Sequence, residues 1–290
     1  MKIRIIKVPY DCGYKKQRQG LGPDQFLQHD LDRMLEADGH QVEISQIESQ
    51  SDFPIEVMTA FELNRLLADE VRRAIEKSFF PVILSGNCNS CLGSIAGIGP
   101  ENLGVVWFDA HGEFNTPETT LSGFLDGMPI AIATGRCWKS VAKTIPGFRP
   151  VTEKNIVLVG ACDLDAGEQR QLEQSEIGLV RTVGARETEI LRRLEAALIQ
   201  LQSRVTGIYL HIDMDAFEVG GGAANHYGAT GGMSPEFIIK AIALVKEHLP
   251  LRGCAIASYD PAFDSDSRFL EAGLQSIRQI AAPLLSENAQ

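Results

Sequence analysis

Residues 104–135, GVVWFDAHGEFNTPETTLSGFLDGMPIAIATG, hold the reading on which the fold turns. Gly104 to Phe108 is an unbroken apolar run, the pattern of a strand buried on both faces. Asp109, His111 and Glu113 follow on alternate positions at its C-terminal end. An extended backbone sends side chains i, i+2 and i+4 to one face, so these three are expected to converge on a point. Two carboxylates and an imidazole meeting at a strand end suggest a metal site, although the triplet alone also fits a loop that is merely acidic.

Outward from this strand, apolar strands alternate with amphipathic helices. Further strands are expected at 3–8, 41–47, 80–84, 155–159, 178–181, 207–212 and 254–259. Apolar residues at helical spacing predict helices over 24–37, 59–77, about 90–96, most of 126–142, 169–174, 187–202, 234–247 and 268–285. Residues 11–23, DCGYKKQRQGLGP, read as a polar loop. Gly39 reads as a helix stop, and Ser234 with Glu236 as a cap and a first-turn acid. Such alternation predicts the α/β class, a three-layer α/β/α arrangement around a mostly parallel central sheet. At 290 residues the chain sits near the upper size for one domain, so 1–290 is read as a single unit.

Polar clusters follow four of the strands: SGNCNS after PVIL, DAHGE after GVVWF, CDLD after NIVLVG and DMD after GIYLHI. Ligands of open α/β sheets bind outside the carboxyl ends of the strands. The four clusters are therefore expected to share one rim.

Composition narrows the partners. A net charge of -11 argues against phosphate backbones and anionic membrane surfaces, so neither nucleic acid nor membrane is expected. The first residues lack an apolar signal core, and no later run approaches the ~20 residues of a membrane span, which predicts a soluble, cytoplasmic protein. Cys12, Cys88, Cys91, Cys137, Cys162 and Cys254 are too sparse for a disulfide scaffold and are expected to be mostly thiols.

Over nearly its whole length the chain resembles the ureohydrolases, the superfamily of arginase, agmatinase and formimidoylglutamase. That family holds two manganese ions with a GGDH turn, a DAHxD turn and an SxDxDxxDP turn. Here the corresponding stretches read Ser85-Gly86-Asn87-Cys88, Asp109-Ala110-His111-Gly112-Glu113, and His211-Ile212-Asp213-Met214-Asp215-Ala216-Phe217-Glu218. The resemblance implies Cys88, Asp109, His111, Glu113, Asp213 and Asp215 as metal ligands. Cys88 stands where a histidine is usual and Glu113 where an aspartate is usual, and both keep a side chain able to bind a cation. Two divalent ions are implied, manganese first. Because a thiolate is softer than an imidazole, zinc, iron or cobalt are alternatives at Cys88, as is an empty subsite. Cys88 also opens a CxxC with Cys91; on its own this fits a metal ligand, a buried thiol or a redox pair, in that order.

The chemistry implied is hydrolysis. Two ions ~3.5–4 Å apart lower the pKa of a bridging water, and hydroxide attacks the sp2 carbon of a guanidine or amidine. By the same resemblance Asp109, His111, Asp213 and Asp126 occupy catalytic positions, Asp126 replacing a histidine thought to shuttle protons. Asn115 and Ser122 correspond to contacts with a substrate α-carboxylate, and Asp165 to a contact with its α-amino group. Ser258 replaces the glutamate that clamps a guanidinium. Asn115 alone also fits an Asx-type turn before Thr116-Pro117.

The reading is a hydrolase of C–N bonds in a guanidino, amidino or formimino amino acid derivative, with a small-molecule substrate and a homo-oligomeric assembly. PAFDSDSR, 261–268, echoes the formimidoylglutamase branch. Two other classes stay open: a catalytically silent, metal-poor binding or regulatory protein, and a thiol redox protein using Cys88 and Cys91.

Overall fold

The apolar runs become strands because their side chains are wanted on both faces of one sheet. In the computed structural model, which describes residues 1–51 and 55–283, these are β1 (Lys2–Val8), β2 (Gln41–Gln46), β3 (Phe80–Ser85), β4 (Leu103–Asp109), β5 (Ile156–Gly160), β6 (Gly178–Arg181), β7 (Gly207–Asp213) and β8 (Leu251–Ala257). Their order across the sheet is β2-β1-β3-β8-β7-β4-β5-β6, and every pairing is parallel. In β4, β5 and β7 every residue is buried. Alternate residues feed two cores: Val106 and Phe108 join Ile208, Leu210 and Ile212 on one face, while Val105, Trp107 and Tyr209 lie on the other.

Helices cover both faces, giving the three layers expected. Against the first core pack α1 (Gly22–Gln28), α2 (Leu31–Ala37), α8 (Glu187–Gln202), α9 (Pro235–His248) and α10 (Arg268–Ala281). On the second lie α3 (Glu56–Glu76), α4 (Cys91–Ile98), α5 (Pro129–Ala133), α6 (Lys139–Ala142) and α7 (Ala166–Glu173). Each amphipathic stripe thus meets a sheet face. Ser234 caps α9, its hydroxyl accepting the Phe237 N–H.

Several boundaries differ from expectation. The helix predicted over 24–37 is two, broken at Asp30, whose φ of 59° is left-handed; the apolar spacing runs through a break that a short polar residue tolerates. Within 126–142 only α5 and α6 are α-helical, because Gly135 turns left-handed (φ 77°) and the Arg136 N–H closes back on the Ala131 carbonyl. The polar loop at 11–23 contains a two-residue antiparallel ladder, Tyr10–Asp11 with Tyr14–Lys15, and the first turn of α1. The last strand begins earlier, at Leu251, and stops at Ala257, because Ser258 (φ 66°) turns the chain aside. Helix α10 closes at Ala281, and positions 284–285 of its predicted span lie outside the described residues.

Strand order positions the site. β3 and β4 are consecutive in this sheet's chain order yet lie three places apart, with β8 and β7 between them. From β4 the chain crosses outward to β5, whereas from its neighbour β7 it crosses the other way to β8, and such a divergence is where a parallel sheet opens a crevice at its carboxyl edge. The clusters after β3, β4, β5, β7 and β8 all end there.

Candidate metal centre and cleft

Asp109 is the last residue of β4 and is fully buried. The Trp107 indole N–H donates to its Oδ2 at 2.7 Å and the His111 backbone N–H to its Oδ1 at 2.8 Å. That second bond marks a turn rather than a continuing strand, and Glu113 sits at a left-handed φ of 54°. Of Asp109, His111 and Glu113, expected to converge by alternation, only Asp109 and His111 therefore share a donor group. The chain has left the extended conformation, and His111 instead swings its Nδ1 to 3.2 Å from Asp215 Oδ2 and 3.5 Å from Asp109 Oδ1.

Two donor groups result. Ligand atoms of Cys88, Asp109 and Asp213 lie within 4.8 Å of one another, as do those of Asp109, His111 and Asp215, with Asp109 common to both. At the end of β7, Asp213 Oδ1 accepts the Asp215 N–H at 2.9 Å, which fixes both carboxylates on one turn. The Cys88 thiol donates to Asp213 Oδ2 at 2.8 Å. Glu113 belongs to neither group but is 6 % exposed, and its Oε2 has no hydrogen-bond partner. Its carbonyl accepts the Ile130 N–H at the start of α5, which holds the left-handed turn.

The electrostatics of these groups call for cations. Burial first, and then neighbouring carboxylates, push Glu113 and Asp213 well above the usual carboxylate range, and Asp109 up to about 6. Asp215 moves the other way: burial would raise it, but His111 outweighs that. Burial opposes a charge on His111, yet hydrogen bonds and attraction to Asp109 and Asp215 raise it above an ordinary histidine. Burial likewise pushes the Cys88 thiol up. Buried carboxylates packed this closely cannot all ionise without positive charge among them. Hard oxygen donors, an imidazole, a thiol and an orphaned Glu113 oxygen are the donors a pair of divalent cations takes.

Above these groups opens a cavity of about 180 Å³. His111, Glu113, Asn115, Asp126, Asp165, Asp213, Asp215 and Ser258 line it. Asn115 donates through Nδ2 to Asp165 at 3.4 Å. Cys88, 1 % exposed, lies beneath the lining, its Sγ 3.5 Å from the Ser258 hydroxyl. Ser122 does not line the cavity: it is exposed, and its hydroxyl accepts the Phe124 N–H at 3.2 Å.

Asp126 has a distinct surrounding. Its Oδ2 accepts Asn87 Nδ2–H at 2.8 Å and the Cys88 N–H at 3.0 Å, and its Oδ1 the Asn89 N–H at 2.7 Å. Burial raises it to about 7 although those donors pull the other way. The carboxylate thus grips the loop that presents Cys88.

Sequence reasoning missed other lining residues. Gln19 lies in the loop before α1, and its buried Oε1 lacks a partner. Glu168, one helical turn beyond Asp165, accepts the Phe114 N–H at 2.8 Å; the i, i+3 spacing in DLDAGE was its available signal. Asp163 also lines the wall, and Phe124 stacks on Tyr227 with ring centroids 5.2 Å apart. Among the described residues seven carboxylates and no lysine or arginine line the cavity, so its field favours cations. His211 was missed too. It is buried beside Cys88, its Nε2 3.1 Å from Sγ.

A model of the arginase family matches residues 1–282. The chain belongs to the arginase family. Arginase of Bacillus caldovelox is 26 % identical over 279 residues, covering 92 % of this chain and 93 % of that one. Arginase of Bacillus subtilis strain 168 is 29 % identical over 242 residues, 80 % and 81 % of the two chains. A crystal structure of the Bacillus subtilis arginase superposes with a TM-score of 0.87 at 25 % identity, covering 98 % and 100 %. Formimidoylglutamase of the same species shares the fold, with a TM-score of 0.76 at 14 % identity over 97 % of this chain and 86 % of that one. As an arginase-family chain it carries the family's hydrolase fold. All six cysteines are free, and among the described residues no helix is long and apolar enough to cross a membrane.

Proposed function

We propose that this arginase-family chain is a metal-dependent hydrolase of C–N bonds in a guanidino, amidino or formimino amino acid derivative. The observation that carries the reading is the pair of donor groups joined through Asp109 at the base of a carboxylate-rich cavity. Cys88, Asp109 and Asp213 would hold one divalent ion and Asp109, His111 and Asp215 the other, with Glu113 offering its unpartnered oxygen. Manganese suits the second set by its hard donors. When bound, such ions supply an activated water and offset negative charge on the reacting carbon's substituents.

The residues around them divide the remaining work. Carboxylates of Glu113, Asp163, Asp165 and Glu168 favour a cationic amidine-type group and an α-amino group. Asn115, fixed against Asp165, orients the amino acid end. Ser258 offers a hydroxyl, not a carboxylate, where a guanidinium would need a clamp, so the substrate class is drawn wider than arginine. Asp126 holds the Cys88 loop. Phe124 and Tyr227, stacked on each other, give the cavity an aromatic wall. The same reading takes 1–290 as one domain acting on a small molecule in the cytoplasm as a homo-oligomer.

The test is reconstitution with manganese, zinc or cobalt, followed by metal counting and a urea- and ammonia-release panel of guanidino, hydroxyguanidino and formimino compounds. Close to two ions per chain and metal-dependent release are expected, with His111→Ala losing one ion while keeping the fold. Reconstituted protein that binds no ion would establish the silent, metal-poor alternative.

A further inference from the structure

Two departures from the family's metal motifs meet in space. The GGDH-like stretch carries Cys88 in place of histidine, and the SxDxDxxDP-like stretch carries His211 in place of serine. They are 123 residues apart and belong to segments that β8 separates in the sheet, yet Cys88 Sγ and His211 Nε2 are 3.1 Å apart. An imidazole has been lost on one side of this contact and gained on the other.

His211 is held as a support would be. Its ring stacks on Trp107 with centroids 3.6 Å apart and an interplanar angle of 13°, and its Nδ1 is 3.1 Å from the Tyr209 hydroxyl. Trp107 in turn donates to Asp109 Oδ2 at 2.7 Å, and Cys88 contacts Asp213 Oδ2 at 2.8 Å. His211 is therefore tied to each member of the Cys88, Asp109, Asp213 group, through the sulfur or through Trp107. It lies outside that group and reaches it only by these contacts. With the Tyr209 hydroxyl donating to Nδ1, Nε2–H is free to donate to sulfur. A hydrogen-bonded partner of this kind orients a ligand and tunes its donor strength.

We propose that His211 is the positioning residue of a rebuilt, sulfur-containing subsite, and that the Cys88–His211 pair makes it select a thiophilic divalent cation such as zinc or cobalt over manganese. The other subsite, with Asp109, His111 and Asp215, keeps the imidazole and oxygen donors that manganese takes, so the centre is built for two unlike metals. This inference rests on the two-ion reading above.

Cobalt titration of the metal-free protein tests it, because a cobalt–thiolate bond gives a near-ultraviolet charge-transfer band that oxygen and nitrogen donors do not. The full-length protein should bind two cobalt ions and show the band. Cys88→Ser should lose the band and one ion. His211→Ser should shift the band and weaken the sulfur subsite roughly 10- to 100-fold, the range for loss of such a partner. The ion at the other subsite is unaffected and reports that the variant is folded. His211→Gln, which restores an N–H donor, should recover much of that affinity, which a purely structural histidine would not predict. In the exchange Cys88→His with His211→Ser, the preference for zinc over manganese at this subsite should fall at least tenfold. Two ions without a sulfur band, or a His211→Ser protein with unchanged band and affinity, would overturn the inference and leave the hydrolase reading standing. A protein that binds no cobalt would overturn both.

Discussion

Replacing Asp126 with alanine separates two roles that the residue could have, proton carrier or scaffold. Its carboxylate accepts three N–H donors, from the Asn87 side chain and from the backbone of Cys88 and Asn89, at 2.8, 3.0 and 2.7 Å. A buried donor left unmade costs about 1–3 kcal/mol. Three such donors would cost about 3–9 kcal/mol, and because Asp126 also borders the cavity, water can reach part of the gap, which places the total towards the low end, about 3–5 kcal/mol. For a chain of this size that lowers Tm by roughly 6–12 °C. Asp126→Asn should be milder, about 2–3 kcal/mol, since one carboxamide oxygen can still accept while its NH2 faces a donor. Calorimetry on metal-free protein is the right assay, because bound ions would mask the loss by mass action. The alanine protein should also bind the ion at Cys88 more weakly, its loop having lost its anchor. If it instead keeps its Tm within about 2 °C and its full metal content but loses turnover, Asp126 carries protons and the scaffold argument fails.

Three further outcomes are expected. At Gly86 an added Cβ would strike the Tyr10 carbonyl oxygen and lie 2.8 Å from the Gly20 nitrogen, so Gly86→Ala should cost about 3 kcal/mol; an unchanged urea midpoint would contradict that close approach. Glu168 is raised by burial from 4.5 to about 7, so the folded protein keeps its proton longer than the unfolded chain. The stability this contributes is complete below pH ~4.5 and is lost as pH rises towards 7. Glu168→Gln in the metal-free protein should therefore be the more stable by about 3 kcal/mol at pH 8, with the gap closing at pH 4, and parallel stability curves would sink the argument. Finally, Asp165→Ala should raise KM for an α-amino acid substrate about tenfold or more while sparing its decarboxylated amine, and equal effects on both would remove Asp165 from amino acid recognition.

Much of the site could be read from the chain because it hangs on strand ends. Asp109, Asp213 and Asp215 follow runs so apolar that their burial was foreseeable, His111 sits half-buried beside them, and a carboxylate at such a boundary stands out. Asn115, Asp165 and Ser258 reached the cavity for the same reason. Ser122 did not, since its loop turns outward after Thr120 and uses the hydroxyl to close itself, with Gly123 at a φ of 75°.

What the sequence determined by itself was local. Apolar runs and periodicity set the strands, most helices and the three-layer class, and in β6 and α8 even the boundaries, because burial on a sheet face imposes a pattern on consecutive residues. Tertiary structure alone decided three things. It ordered the strands so that the chain leaves neighbouring β4 and β7 in opposite directions, which opens the cleft. It turned the chain after Asp109, so that His111 pairs with Asp215 and Glu113 stands apart. It set His211 against Cys88. Each is a contact between segments distant in the chain, and local periodicity records which way a side chain points but not what it meets there.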